Sequence, residues 1–472
     1  VKGALRLLPL LAILAVTRLV ALGTLPIFLD ETIHLRWAFN IAQGDKLFRP
    51  WADGRLLTIW LYAAVVPHVD DFLVWARALS AAAGAVTLVG LFALGRRIAS
   101  PACGVVAALL YLVCPFTLFY DRLALTDSFL AAAATVTLLL SLGAFETPAP
   151  WRAVLLGVVL ALSVLVKFSG ILLFLIPAAS ALFLGGRGAV RSLATAYGVA
   201  LLLLLYPLVL FAGTDMLKVV AVQAREEGLM RDAFANLGLI GQYLGYYWGG
   251  GMVLLGVVGA VFAVGRREGR LLLVLTLLPL VVVAVVLRVW YARYILWETV
   301  PFLLLCGLGV ARLLERRRPL VAGLLLAAAI LPVLPRDLRL VLAPPAAGLP
   351  PGEDAQYVNG WPSGYGVRET VGVLQEALRQ SPGGIAVVTH SASHRTLWNA
   401  FDLYFQDETV FHNEALDLSD PDAVPWLLRG GFGALPTYVV LAPRSEGAHK
   451  ATVTRDALER VATRVSTFRY PD

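Results

Sequence analysis

The chain has 472 residues, 59% hydrophobic and 15% charged, against roughly 25% charged in soluble domains. With a mean hydropathy of +0.76, an ordinary soluble protein is excluded over most of the length. The pI near 9.4 does not point to nucleic acid, because the basic residues sit in short clusters between apolar stretches, the positive-inside pattern of membrane proteins.

The first apolar stretch, residues 7–29, reads LLPLLAILAVTRLVALGTLPIFL and is followed at once by the acidic pair Asp30-Glu31. A helix crosses a bilayer with about 20 apolar residues. Spans are expected near 6–27, 72–95, 101–119, 127–145, 152–167, 169–185, 192–212, 248–264, 271–287, 294–313 and 319–334. Arg96-Arg97, Arg152, Arg187 with Arg191, Arg266-Arg267 with Arg270, and Arg312 with Arg316 to Arg318 fall in every second connection, which puts them on the cytoplasmic side. Lys2 and Arg6 put the N-terminus there too, and eleven spans leave the C-terminus outside. The alternative for the first span is a cleaved signal peptide, since Ala21-Leu22-Gly23 resembles a small-x-small site. Arg18 is foreign to such a segment, and cleavage would leave Asp30 near a free terminus.

Between spans, residues 32–43 carry Ile33, Trp37, Ala38 and Ile41 at helical spacing, as in a helix lying in the interface. Residues 56–66 are apolar but too short to cross. Tyr243, Tyr246, Tyr247 and Trp248 are expected at a headgroup belt. Cys103, Cys114 and Cys306 lie in or beside apolar spans without disulfide or zinc spacing. Past residue 334 the composition turns polar: Pro344, Pro345, Pro350 and Pro351 mark a linker over 335–350, and 351–472 is expected to be a small extracytoplasmic α/β domain. Its strands are expected at 385–390 and 437–442, its helices at 367–379 and 454–465. His390 and His394 read as surface histidines, and the glycine runs at 364–366 and 430–433 as turns. The fold class is therefore mostly α, a polytopic helical bundle over 1–334 with a C-terminal α/β domain.

Basic residues that fall outside despite the charge rule are informative: Lys46, Arg49, Arg55, Arg122, Lys167, Lys218, Arg225, Arg231, Arg288 and Arg293. Several stand beside acidic or aromatic residues, as in Tyr120-Asp121-Arg122 and Tyr291-Ala292-Arg293-Tyr294. Cations and carboxylates at an outer rim suit an anionic lipid headgroup bound next to a base. For any single cation, helix capping or snorkelling is an equal reading.

The ordered set FLDETIHLRWAFNIAQGD, ARALSAAAG with Arg77, YDRLALTDS, ALSVLVKFSGILLFLIP and ARYILWETVPFLLL resembles GT-C glycosyltransferases of the protein O-mannosyltransferase and lipid A aminoarabinose transferase type. That resemblance covers most of residues 1–334. It implies inverting transfer of a sugar from a polyprenyl-phosphate donor to an extracytoplasmic hydroxyl of a protein, lipid or glycan, in a bacterial cytoplasmic membrane. It also implies roles: Asp30 as general base, Glu31 as an orienting acid, and Asp127 (with Asp121 as the alternative) as the second-loop acid. Lys167, Arg293, Arg122 and Arg77 are implied at the donor phosphate, with Tyr294 and Arg55 as further site candidates. Neighbouring carboxylates leave a divalent metal open, and no other cofactor is implied. The rival classes are a transporter or flippase of lipid-linked sugars, which would place its charges near the midplane, and a membrane scaffold, which leaves the outer charges without a role. No internal repeat is visible.

Overall fold

The computed structural model describes residues 4–48, 54–147, 149–186, 188–212, 229–286, 291–360, 362–390, 395–416 and 423–441, with 463 and 466. The expected helix at 454–465 therefore lies outside the described residues, as do the side chains of Arg49, Lys218, Arg225, Arg231, Arg288 and His394. The chain divides into two compact units: residues 1–22 with 40–343, and residues 23–39 with 344–472.

The first unit is helical. Among the described residues six helices are long and apolar enough to cross a membrane: Phe72–Ile98, Asp127–Glu146, Ala189–Leu210, Arg267–Val285, Ala292–Glu315 and Pro319–Leu342. The chain is a multi-pass membrane protein. Ala292–Glu315 has 94% of its apolar window buried against other helices, Pro319–Leu342 only 17%. The first is thus the centre of the bundle, and the second offers its leucines to lipid. Helices here meet through small residues, because lipid gives apolar surfaces no reason to leave it and close backbone contact must supply the attraction. A Cβ on Gly259 would fall 2.0 Å from Leu305 O, and one on Gly307 2.6 Å from Cys103 O.

Shorter apolar helices fill the remainder, among them Leu7–Leu19, Pro101–Val113, Pro150–Val166 and Phe168–Leu184. Residues 57–65 form a short helix, as their length requires. Ala233–Tyr247 and Gly249–Ala263 are bent by 104°, with Gly249 in the left-handed region at φ +68. The bend corrects one expectation. Tyr247 and Trp248 are 0% and 4% exposed; Trp248 stacks on Phe302 at 3.6 Å and Tyr247 on Phe116 at 4.6 Å. The corner turns these rings into the bundle instead of leaving them at a headgroup belt.

The second unit carries a three-stranded parallel sheet, β1 (Ile385–His390), β2 (Phe411–Leu416) and β3 (Thr437–Val440), in the order β2-β1-β3. Ile385 pairs with Phe411 and Ala386 with Thr437. The central β1 has Ile385 to Val388 at 0% exposure, as a run of apolar residues covered on both faces should. The helix Val367–Gln380 follows Gly366 (φ 86), and Arg395–Tyr404 joins β1 to β2. Within the stretch expected as linker, Leu334–Leu342 is helical and Pro344–Ala347 forms a 3-10 turn. The segment 23–39, which holds the acidic pair, is part of this second unit.

Candidate active site

In the first unit, three interruptions of regular structure bring charge together. The helix Pro150–Val166 stops at Lys167, whose backbone is extended (φ −157, ψ 136), and the chain resumes as a 3-10 helix, Phe168–Phe174. The break is held by residues 54–56: Phe168 N donates to Gly54 O at 2.7 Å, and Leu56 N to Leu165 O at 2.8 Å. Gly54 must be glycine there. Its φ is +68, and a Cβ would lie 2.8 Å from Phe168 Cβ. Arg55 is thereby fixed beside the break. The third interruption is Tyr291 (φ −124, ψ 137) followed by the kinked 3-10 helix Ala292–Glu298. Non-helical backbone at membrane depth persists only where protein buries it or it lines a cavity.

Lys167 Nζ donates to Asp127 Oδ1 at 2.7 Å, both side chains nearly buried. Asp127 is the first residue of the helix Asp127–Glu146, where the helix dipole favours a carboxylate. The ammonium also stands 4.6 Å over the Tyr294 ring. Arg293, 5% exposed, lies 4.8 Å over Tyr291 and 6.0 Å over Tyr294. Among the described residues, the charges acting on Lys167 are the Asp127 carboxylate and two more cations, Arg293 and Arg55. Three buried or half-buried cations thus stand around the Asp127 carboxylate, and a phosphate is the kind of anion that such cations bind.

Arg122 and Arg77, expected at the phosphate, bind backbone carbonyls of residues 17–22. Arg122 donates to the carbonyls of Thr17, Arg18, Val20 and Ala21 at 2.7–3.2 Å, closing the end of the helix Ala4–Leu19. Arg77, 0% exposed, donates to Leu22 O at 2.5 Å. The Arg122 donors reach carbonyls of the kind that every helix end leaves without an intrahelical partner. Asp121 is likewise committed: it accepts from Tyr111 Oη and Ser128 Oγ, each at 2.8 Å, and faces Arg18 Nε at 3.4 Å. Burial pushes its carboxyl up from the usual range, and Arg18 opposes the shift. In the sequence Arg18 is only an oddity within an apolar span. It is fully buried and also donates to the carbonyls of Tyr111 and Leu112.

In the second unit, Asp30 and Glu31 occupy the first turn of the helix Leu29–Ala42. Glu31 is buried, and its Oε2 accepts the Phe28 amide at 2.9 Å. That is the reach-back half of a capping box. Asp30, one residue earlier, is half-buried and is not the helix cap. Among the described residues no three His, Cys, Asp or Glu side chains gather closely enough to hold a metal ion.

Residues 55–212 match the family described as dolichyl-phosphate-mannose-protein mannosyltransferase. That segment includes Arg55, Asp127 and Lys167. ArnT from Cupriavidus metallidurans bound to undecaprenyl phosphate superposes with a TM-score of 0.64 at 12% identity, covering 98% of this chain and 96% of that one. Its apo state gives 0.62 at 13%, covering 93% and 90%. The fold is that of a GT-C glycosyltransferase. The Archaeoglobus fulgidus oligosaccharyltransferase complexed with Zn and sulfate gives 0.54 at 13%, with 84% of this chain covered. The chain spans about six-tenths of that protein's length, 61%. No curated protein matches by sequence. The likeness to the mannosyltransferase and aminoarabinose transferase group that the motifs carry is thus supported by a family model and by the GT-C fold.

Proposed function

We propose that the protein transfers a sugar from a polyprenyl-phosphate donor to an extracytoplasmic hydroxyl, with inversion, in a bacterial cytoplasmic membrane. The observation that carries this reading is the buried Lys167–Asp127 pair set among Arg293, Arg55 and Tyr294, most of it within the segment matched by the mannosyltransferase family. In the proposed reaction the acceptor oxygen attacks C1 of the sugar as Asp30 takes its proton. The C1–O bond to the carrier breaks on the opposite face, and the lipid phosphate leaves as an anion. Lys167, Arg293 and Arg55 stabilise the charge that develops on it. Glu31 holds the helix end that carries the base. The solved ArnT structure contains undecaprenyl phosphate, and the same class of carrier suits this cluster. Eleven crossings, with the N-terminus cytoplasmic and the C-terminal domain outside, follow if Leu7–Leu19, Pro101–Val113, Pro150–Val166 and Phe168–Leu184 also cross and the bent pair counts once.

The test is to incubate membranes containing the protein with radiolabelled polyprenyl-phosphate sugars and follow label leaving the carrier. Transfer with at least one donor, abolished in Asp30→Asn, is expected. No transfer from any lipid-linked donor, with uptake or translocation of the lipid instead, would refute the enzyme reading.

A further inference from the structure

The helix Leu29–Ala42 is gripped at two places by the C-terminal part of its own unit. At its start, Leu29 N donates to Pro362 O at 3.0 Å, and the Phe28 and Tyr357 rings lie 4.5 Å apart. Gly364 packs so closely that a Cβ would fall 2.0 Å from Ile27 O. Two turns on, a polar relay runs from the sheet into the helix. Asn413 on β2 donates through Nδ2 to Asp402 Oδ1 at 2.7 Å and to Trp398 O at 2.8 Å. The other Asp402 oxygen pairs with Arg36 Nη2 at 2.9 Å. Arg36 Nη1 donates to Asn399 Oδ1 at 2.9 Å, and the guanidinium lies 4.2 Å over the Trp398 ring. Arg36 stands six residues after Asp30, about 9 Å along the axis at 1.5 Å per residue.

We infer that Arg36 and Asp402 are positioning residues for transfer: through them the sheet of the C-terminal domain fixes the helix that carries Asp30. The inference rests on Asp30 being the general base. A single half-exposed ion pair adds little to stability. This one, however, uses the planar fork of arginine on two acceptors and a ring at once, and its carboxylate is oriented by a strand. Such an arrangement fixes direction more than it adds energy. Proton transfer is sensitive to direction, and a displacement of about 1 Å can cost roughly 10²-fold in rate. The C-terminal domain then acts on the chemical step, in addition to any part in acceptor choice.

The experiment uses the whole 472-residue chain in detergent or nanodiscs, with a donor found active among the radiolabelled polyprenyl-phosphate sugars. Arg36→Met and Asp402→Asn are expected to lower kcat about 10- to 100-fold with the donor KM unchanged. The double variant is expected to lose no more than the worse single one. Amide hydrogen exchange over residues 29–42 is expected to speed up in both variants. Asp402→Asn alters charge at almost constant volume, so it decides the matter if Arg36→Met does not fold. Unchanged kcat in a variant with faster exchange, or unchanged exchange in both, would overturn the inference while leaving the enzyme reading intact. A wild-type protein inactive with every donor would remove the enzyme reading, and with it the inference, whatever the exchange data show.

Discussion

The Lys167–Asp127 pair allows the phosphate reading to be separated from a purely structural one. Its side chains are 11% and 4% exposed, so removing one partner strands the other charge out of water, at a cost of about 3–5 kcal/mol. Lys167→Met and Asp127→Asn should therefore both lower the unfolding temperature of the purified protein. The double variant should lie well above the sum of the two losses, because residues in direct contact couple by about 0.5–3 kcal/mol. Binding of a polyprenyl phosphate should respond differently. Lys167→Met deletes a charge-assisted contact worth about 1.5–3 kcal/mol, which is roughly a 10- to 100-fold weaker Kd. Asp127→Asn removes the carboxylate bonded to Lys167, so the lipid phosphate becomes that ammonium's counter-ion and binding holds or tightens. Added lipid should then raise the unfolding temperature of Asp127→Asn more than that of wild type. Equal weakening of lipid binding by both single substitutions would refute the idea that this cluster compensates a phosphate.

Four further outcomes follow from the same contacts. Asp30→Asn should reduce transfer about 10²- to 10⁴-fold while lipid binding, measured by equilibrium partition, is retained. Glu31→Gln should keep the bond to the Phe28 amide and cost little, whereas Glu31→Ala should cost about 0.5–2 kcal/mol, read as faster amide exchange at residues 28–32. Arg122→Ala, which strips donors from the end of the first helix, should lower the unfolding temperature by roughly 1–3 kcal/mol equivalent and leave lipid affinity unchanged. Gly54→Ala combines a left-handed backbone with a 2.8 Å approach to Phe168. It should cost about 1–3 kcal/mol and weaken lipid binding by displacing Arg55 and Lys167.

The sequence made the apolar spans readable because lipid demands an unbroken run of about 20 residues, and Phe72–Ile98 or Asp127–Glu146 supply it. It also made β1 readable to the residue, since IAVVTH is a short apolar run between turn signals. The fate of the arginines was not readable. Arg122, Arg77, Lys167 and Arg293 are all basic residues that the resemblance implies at the donor phosphate. Their contacts differ: backbone carbonyls at and after the end of the first helix for the first two, a carboxylate and tyrosine rings for the others. The partners of Arg122 lie about 100 residues away in sequence, a relation that no local spacing encodes. The attachment of residues 23–39 to the C-terminal part was hidden for the same reason. It rests on Phe28 with Tyr357 and Arg36 with Asp402, pairs more than 300 residues apart in the chain.

The chemistry-bearing residues nevertheless share a local property. Asp30 and Glu31 stand in the first turn of a helix, Asp127 is the first residue of another, Lys167 occupies an extended break, and Arg293 lies in a kinked 3-10 turn. A helix start offers free amides and a positive dipole end, so a carboxylate there is oriented at little cost. A break frees backbone groups and directs a side chain away from the packed stripe of its helix. In a membrane that break must be covered by protein, as the bonds of residues 54–56 to 165–168 cover this one. A basic residue within a helix meets lipid or a neighbouring helix, as buried Arg77 does in donating to Leu22 O. At a start or a break, the same residue type can face a substrate. Position alone does not make a ligand, however: Arg122 also stands in a break between helices, and what separates it from Lys167 and Arg293 is that its guanidinium is spent on the carbonyls of Thr17, Arg18, Val20 and Ala21.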